Sequence, residues 1–151
     1  MTDRVQLYDL IKESFLLLDF GDRLFLEKFD LTDPRYYALT HIAVEPGLSP
    51  SLLSRHMFCD KSNITRLVQG LMNDGLVERR PHEKDGRAQR LFLTATGSAL
   101  HEKAAHAHQR FVQERLAVLE ECPAAQATDV LAFLNRSLSE ALDNTPSLLL
   151  N

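Results

Sequence analysis

Ser62, Asn63, Thr65, Arg66 and Gln69 cluster between positions 62 and 69, and a helical period puts all five on one side of the chain. They offer short hydroxyl and amide groups plus one long cation, the groups needed to hydrogen-bond base edges and grip phosphates. A merely solvated helix face is the competing reading. Ser, Asn and Thr are poor interior helix residues, however, because their side chains compete for backbone hydrogen bonds. Concentrating Ser62, Asn63 and Thr65 in the first turns costs helix stability that Ala or Glu would not. That favours contact with a partner. Lys61 and three groups of the preceding segment, Ser49, Ser51 and Arg55, extend the same polar surface.

A second polar group follows. Arg79, Arg80, His82, Lys84, Arg87 and Arg90 are interspersed with Glu83 and Asp85. Charge runs are usually solvated, but Gly86-Arg87 at the tip of a hairpin would project a guanidinium toward a groove wall. Arg87 is therefore the main candidate here, with Lys84 and Arg90 beside it.

These side chains need elements to hold them. Asp60 suits a helix N-cap, accepting from free backbone N–H groups, and the helix then spans Lys61 to Asn73. Ile64, Leu67, Val68 and Leu71 recur on its other face. Asp74-Gly75 ends it, glycine taking the left-handed conformation without a Cβ clash. Leu76 to Arg80 and Arg87 to Leu93 read as two short strands around the polar loop Pro81 to Gly86. Upstream, Ser49-Pro50 opens a short helix to about Met57, and Phe58-Cys59 turns the chain into the Asp60 helix. Two short helices joined by a tight turn form a helix-turn-helix.

The flanks read as helical. Thr2 to about Lys28 predicts one long helix, apolar around so much of its circumference (Leu7, Leu10, Phe15, Leu17, Phe20, Leu24 and others) that it must be covered on more than one side. Thr32-Asp33-Pro34 is a start signal, a capping side chain followed by Pro at the first helical position, for a helix to about Val44. After the hairpin come helices from about Thr96 to Glu120 and from Ala124 to Asp143. The tail 146–151 is apolar enough to be expected to pack on something.

The chain has 151 residues, 44% apolar and 25% charged, with a net charge of -4. That suits one globular domain with an oligomerisation layer. Residues 61–90 carry seven Lys/Arg against four Asp/Glu, a local +3 that leaves -7 elsewhere. A basic module on an acidic body attracts nucleic acid where it docks and repels it elsewhere. Cys59 and Cys122 form no C-x-x-C pattern, which suits a reducing cytosol rather than a disulfide scaffold or zinc knuckle. No signal-peptide order is present, and Phe15 to Phe29 carries too many charges to span a membrane. There is no G-x-S-x-G, Gly-rich phosphate loop or H-E-x-x-H, so no enzyme is expected. His101, His106 and His108 share a helix, but no two have the spacing of a metal pair, so neither a metal nor a cofactor is expected. Cys59, near the positive end of a helix, reads first as a small buried thiol.

Asp60-Lys-Ser-Asn-Ile-Thr-Arg-Leu-Val, Gly75-Leu-Val-Glu-Arg-Arg, Asp85-Gly-Arg-Ala and Leu93-Thr-x-x-Gly97 together resemble the signature series of the MarR family of bacterial transcriptional regulators. The resemblance implies a mostly α fold with a small β-hairpin wing. Residues 32–95 would form a winged helix-turn-helix, with 1–31 and 96–151 as a helical dimerisation layer. It implies a homodimer on double-stranded DNA, acting as repressor or activator in the cytoplasm, often released by a small ligand or by cysteine oxidation. It matches Arg87 to the family's wing arginine and implies that Arg66 braces the wing through Asp85. The family's oxidation sensors carry their cysteine in the N-terminal helical region, where this chain has none. An effector, small and aromatic or anionic, would bind between the long N-terminal helix, the Pro34 helix and the Thr96 helix, near Arg23, Tyr36, Tyr37 and His41. The competing class is a winged-helix protein–protein adaptor that does not bind DNA.

Overall fold

In the computed structural model, residues 3–121 and 123–144 are described; Cys122 and the apolar tail 146–151 lie outside them. The described chain packs as two compact units, the first ending at Gln109 and the second beginning at Arg110.

The first unit opens with α1 (Arg4–Leu26), whose N-cap Asp3 accepts from the Val5 N–H, and a 3-10 turn over Glu27–Phe29. The helix thus closes two residues before the expected Lys28. Next come α2 (Asp33–Val44), α3 (Pro50–His56) and α4 (Lys61–Asn73). Strands β1 (Val77–Pro81) and β2 (Gln89–Leu93) form an antiparallel hairpin with Val77 opposite Leu93 and Arg79 opposite Leu91. Then α5 (Ala95–Leu116) runs on into the second unit, which continues with a 3-10 turn (Ala117–Glu121) and α6 (Ala124–Asn144).

Several local expectations need correction. Thr32 is the N-cap of α2, yet its side chain makes no capping bond, and Pro34 takes the second helical position rather than the first. Asp33 at the first position is itself buried. Both strands start later than expected, and Pro81 closes β1 opposite Gln89 rather than opening the loop. Proline is tolerated there because β1 pairs with β2 on one side only, leaving its own outer edge free of ladder bonds.

The core of the first unit gathers the inward face of each element: Leu26 of α1, Leu39 and Ile42 of α2, Leu53 of α3, Ile64, Val68 and Leu71 of α4, and Leu91 of β2, all at most 1% exposed. Leu67 packs half-buried against this cluster. Between α2 and α3, the Gly47 N–H donates to the Leu91 carbonyl (2.8 Å) and the Leu91 N–H to the Leu48 carbonyl (3.0 Å). This clips the segment after α2 onto β2. Gly47 has a φ of +89°, which favours glycine.

Thr94 and Gly97 join the hairpin to α5. The Thr94 hydroxyl donates to the Gly75 carbonyl (2.6 Å) and accepts from the Gly97 N–H (3.0 Å), while the Thr94 N–H donates to the Leu76 carbonyl. Along α1, by contrast, only Leu26 is buried. Val5, Leu10, Phe15, Leu17 and Phe20 are each more than half exposed, as are Val130, Phe133 and Leu138 of α6.

Candidate nucleic-acid interface

The α4 helix has the bounds read from its capping residues. Asp60 Oδ1 accepts from the Asn63 N–H at 2.9 Å, and Gly75 follows the C-cap with a φ of +70°. With Ile64, Val68 and Leu71 buried, Lys61, Ser62, Asn63, Thr65, Arg66 and Gln69 are all exposed on the outer side.

That outer face is held in order by bonds within the helix. Ser62 Oγ donates to Asp60 Oδ1 at 2.8 Å and Asn63 Nδ2 to Asp60 Oδ2 at 2.6 Å. These bonds, led by the Asn63 backbone N–H, hold the Asp60 carboxyl below the usual carboxylate range. Thr65 Oγ1 donates to the Lys61 carbonyl (2.8 Å) and Gln69 Nε2 to Asn73 Oδ1 (2.9 Å). Ser62, Asn63, Thr65 and Gln69 are therefore preorganised along the helix rather than free to rotate. Arg35 of α2 pairs with Asp74 at the far end of α4, tying the helix back to the scaffold.

In the preceding helix, Ser49 Oγ accepts from the Leu52 N–H at 3.1 Å as the N-cap of α3. Its side chain is committed to that helix, whereas Ser51 and Arg55 are exposed.

The hairpin tip is a closed turn rather than a loose one. Asp85 accepts from the backbone N–H groups of Arg87 (Oδ1, 3.0 Å) and Ala88 (carbonyl, 3.0 Å), and the His82 N–H donates to the Ala88 carbonyl. Lys84 and Arg87 are exposed on this tip. Arg90 is half-buried, with Nη2 3.2 Å from His82 Nε2, so its charge is turned along the hairpin. Arg66 forms no ion pair with Asp85, whose Oδ1 instead accepts from the Arg87 N–H within its own turn. Arg80 pairs with Glu78 and lies 4.4 Å over the Phe92 ring.

The expected effector residues do not converge. Tyr36 and Tyr37 meet edge to face at 5.3 Å, but His41 stacks on His56 of α3 and Arg23 pairs with Asp19 at 3.4 Å. Around the tyrosines stand residues that the sequence analysis does not place in an effector site. Tyr37 donates to Asp22 at 3.4 Å, His108 Nε2 lies 3.3 Å from Asp22 Oδ1, and Tyr36 Oη lies 3.4 Å from His108 Nδ1. Thr40 Oγ1 is 3.1 Å from His101 Nε2. Burial, then the charge of Asp22, pushes the Tyr37 phenol up to about 12, and burial lowers His101. The i,i+7 spacing of His101 and His108, two turns of one helix, is the signal that could have found them. Nearby, a groove of about 430 Å³ is lined by Ile42 of α2, Phe92 and Leu93 of β2, and Ser98, His101 and Glu102 of α5. It abuts the hairpin rather than α1.

Among the described residues no His/Cys/Asp/Glu group could hold a metal ion, and no helix is long and apolar enough to cross a membrane. Cys59 is a half-buried free thiol packed against the core.

A model described as "MarR family" matches residues 29–88. The HTH-type transcriptional regulator BilQ of Clostridium symbiosum is 31% identical over 128 residues, 85% of this chain and 87% of its own. A mutant MarR from E. coli, solved with operator DNA, has the same fold, with a TM-score of 0.75 at 24% identity over 91% of this chain and 99% of that one. The PcaV regulator of Streptomyces coelicolor, solved with its natural ligand, gives a TM-score of 0.67 at 26% identity over 93% and 94%.

Proposed function

Because the chain belongs to the MarR family of transcriptional regulators, we propose that it binds a pseudo-palindromic operator as a homodimer and acts as a ligand-responsive repressor. It is a regulator rather than an enzyme. One observation carries the DNA reading: α4 buries Ile64, Val68 and Leu71 while exposing a preorganised polar face, beside a hairpin whose tip exposes Lys84 and Arg87. In this reading α4 enters the major groove and the hairpin lies near the minor groove. Ser62, Asn63, Thr65, Arg66 and Gln69 approach bases, and Ser51, Arg55, Lys61, Lys84 and Arg87 approach the backbone. Ser49 acts through the cap of α3, and Arg90 through His82.

The homodimer is supported by the uncovered apolar faces of α1 and α6. A second copy would bury both, giving residues 1–31 and 96–151 their role as a dimerisation layer around 32–95. For an effector, the Tyr36–Tyr37–His101–His108 cluster supports an aromatic compound better than an anion, since Asp22 lies inside it. The ligand held by PcaV, a family relative, supports the existence of such a site. An effector acts only through different affinities for the DNA-competent and incompetent dimers. Action on DNA implies a cytoplasmic protein.

A gel-shift with the DNA upstream of the protein's own gene, at two salt concentrations, tests the reading. Salt-sensitive binding that survives excess scrambled duplex is expected. Absence of any specific shift at low salt would leave the adaptor reading in its place.

A further inference from the structure

Phe58, in the turn between α3 and α4, is disfavoured by folding on two independent counts. Its φ is +50°, the left-handed region where a Cβ crowds the following carbonyl. The other non-glycine there among the described residues, Asp30, has a short polar side chain that tolerates it. The Phe58 ring is also 83% exposed, so no packing offsets the backbone cost.

The turn that carries it is nonetheless tightly built. The Phe58 N–H donates to the Arg55 carbonyl (3.3 Å), the Cys59 N–H to the Ser54 carbonyl (3.1 Å), and Ser54 Oγ to the Cys59 carbonyl (2.5 Å). The ring therefore projects from a fixed point two residues ahead of Asp60, whose helix presents Ser62 and Asn63 on its first turn. Exposed Arg55 and Lys61 flank it in sequence. An apolar ring among cations, at the leading end of a recognition helix, fits the rim of a DNA groove better than a protein–protein interface, whose core is depleted of charge.

We propose that Phe58 is a sequence-discriminating DNA contact, its ring packing against a thymine methyl at the edge of the major groove, where apolar side chains distinguish that base. The strain at position 58 would then be retained for recognition. This rests on the reading of α4 as a recognition helix.

The test uses a duplex that the wild-type protein selects from a random pool. Phe58→Asn removes the ring but tolerates the left-handed backbone; Phe58→Tyr keeps the ring. The Phe58→Asn variant should melt about 2–4 °C higher, since strain is relieved, yet bind the selected duplex about tenfold more weakly. Phe58→Tyr should stay within about twofold of wild type in affinity. Deoxyuridine in place of thymine should weaken the wild type by about threefold and leave the Phe58→Asn variant unaffected. Wild-type affinity in Phe58→Asn, equal sensitivity of both proteins to deoxyuridine, or a lowered melting point would each overturn the proposal. If the wild type selects no sequence at all, the recognition-helix reading itself fails, and this contact with it.

Discussion

A Cβ carried by Gly97 would lie 1.9 Å from the carbonyl oxygen of Leu76. No real Cβ approaches another atom so closely, and the obstacle is backbone rather than a side chain that could rotate away. The first turn of α5 therefore lies directly on the residue that leads into the hairpin. Gly97→Ala must push the two apart, breaking the Thr94 N–H bond to the same Leu76 carbonyl. We expect a loss of about 2–4 kcal/mol of stability, the upper range for overpacking. Chemical denaturation measures it, and a loss below about 0.5 kcal/mol, the range of ordinary surface changes, would contradict the close approach.

Asn63→Ala and Arg87→Ala should separate reading from holding. The first removes amide groups held at the start of α4 and should cost about 1–3 kcal/mol per half-site while relaxing sequence preference. The second removes a charge from the hairpin tip, weakening binding on most duplexes and lowering the salt slope by roughly one for each phosphate no longer neutralised. Both residues are exposed, so both variants should remain folded dimers. Titration against selected and scrambled duplex across salt distinguishes the two. An unchanged slope for Arg87→Ala would remove the wing from the mechanism.

Deleting residues 1–28 should leave aggregated or unfolded protein. It removes Leu26 from the core and the helix whose exposed apolar face a second copy would cover. Sedimentation would report the outcome, and a soluble, cooperatively melting monomer would sink the dimer reading.

Asp33 should make stability fall as pH rises. Burial, then a hydrogen bond with Asp19, then the charges of Asp19 and Asp22, raise its carboxyl from 3.8 to about 6, against the opposing charge of Arg23. The folded state favours the protonated form, so the contribution is full below about pH 3.8 and is lost as pH rises through about 6. Asp33→Asn keeps the shape without the charge. It should be more stable than wild type at pH 7.5, with the difference shrinking toward pH 4. Parallel pH profiles for the two proteins would show that this carboxyl is not the source.

The parts legible in the sequence are those decided within a few residues. Asp60 and Gly75 delimit α4 through their own backbone and side-chain chemistry, and Ile64, Val68 and Leu71 reveal its buried face by spacing alone. Thr32 shows where such reasoning fails: the residue types suit a cap, yet its side chain makes no capping bond and the neighbouring Asp33 is buried. The polar cluster escapes it for a related reason. Asp22, Tyr36 and His108 come from three helices, and only packing brings them within hydrogen-bonding range. Arg66 and Asp85 lie far apart in sequence, so whether they pair depends on how the hairpin tip is placed, and here Asp85 Oδ1 accepts from its own turn instead.

The clip between residues 47–48 and Leu91 also constrains the order of folding. Its two hydrogen bonds join positions separated by the whole of α3, α4 and β1. Closing so long a flexible loop costs entropy that two bonds would not repay. Once α3 and α4 have collapsed onto α2, the loop is already short in space and the same bonds form at little further cost. The clip onto β2 should therefore form last, and folding rates should be more sensitive to substitutions at Ile64 or Leu53 than at Gly47.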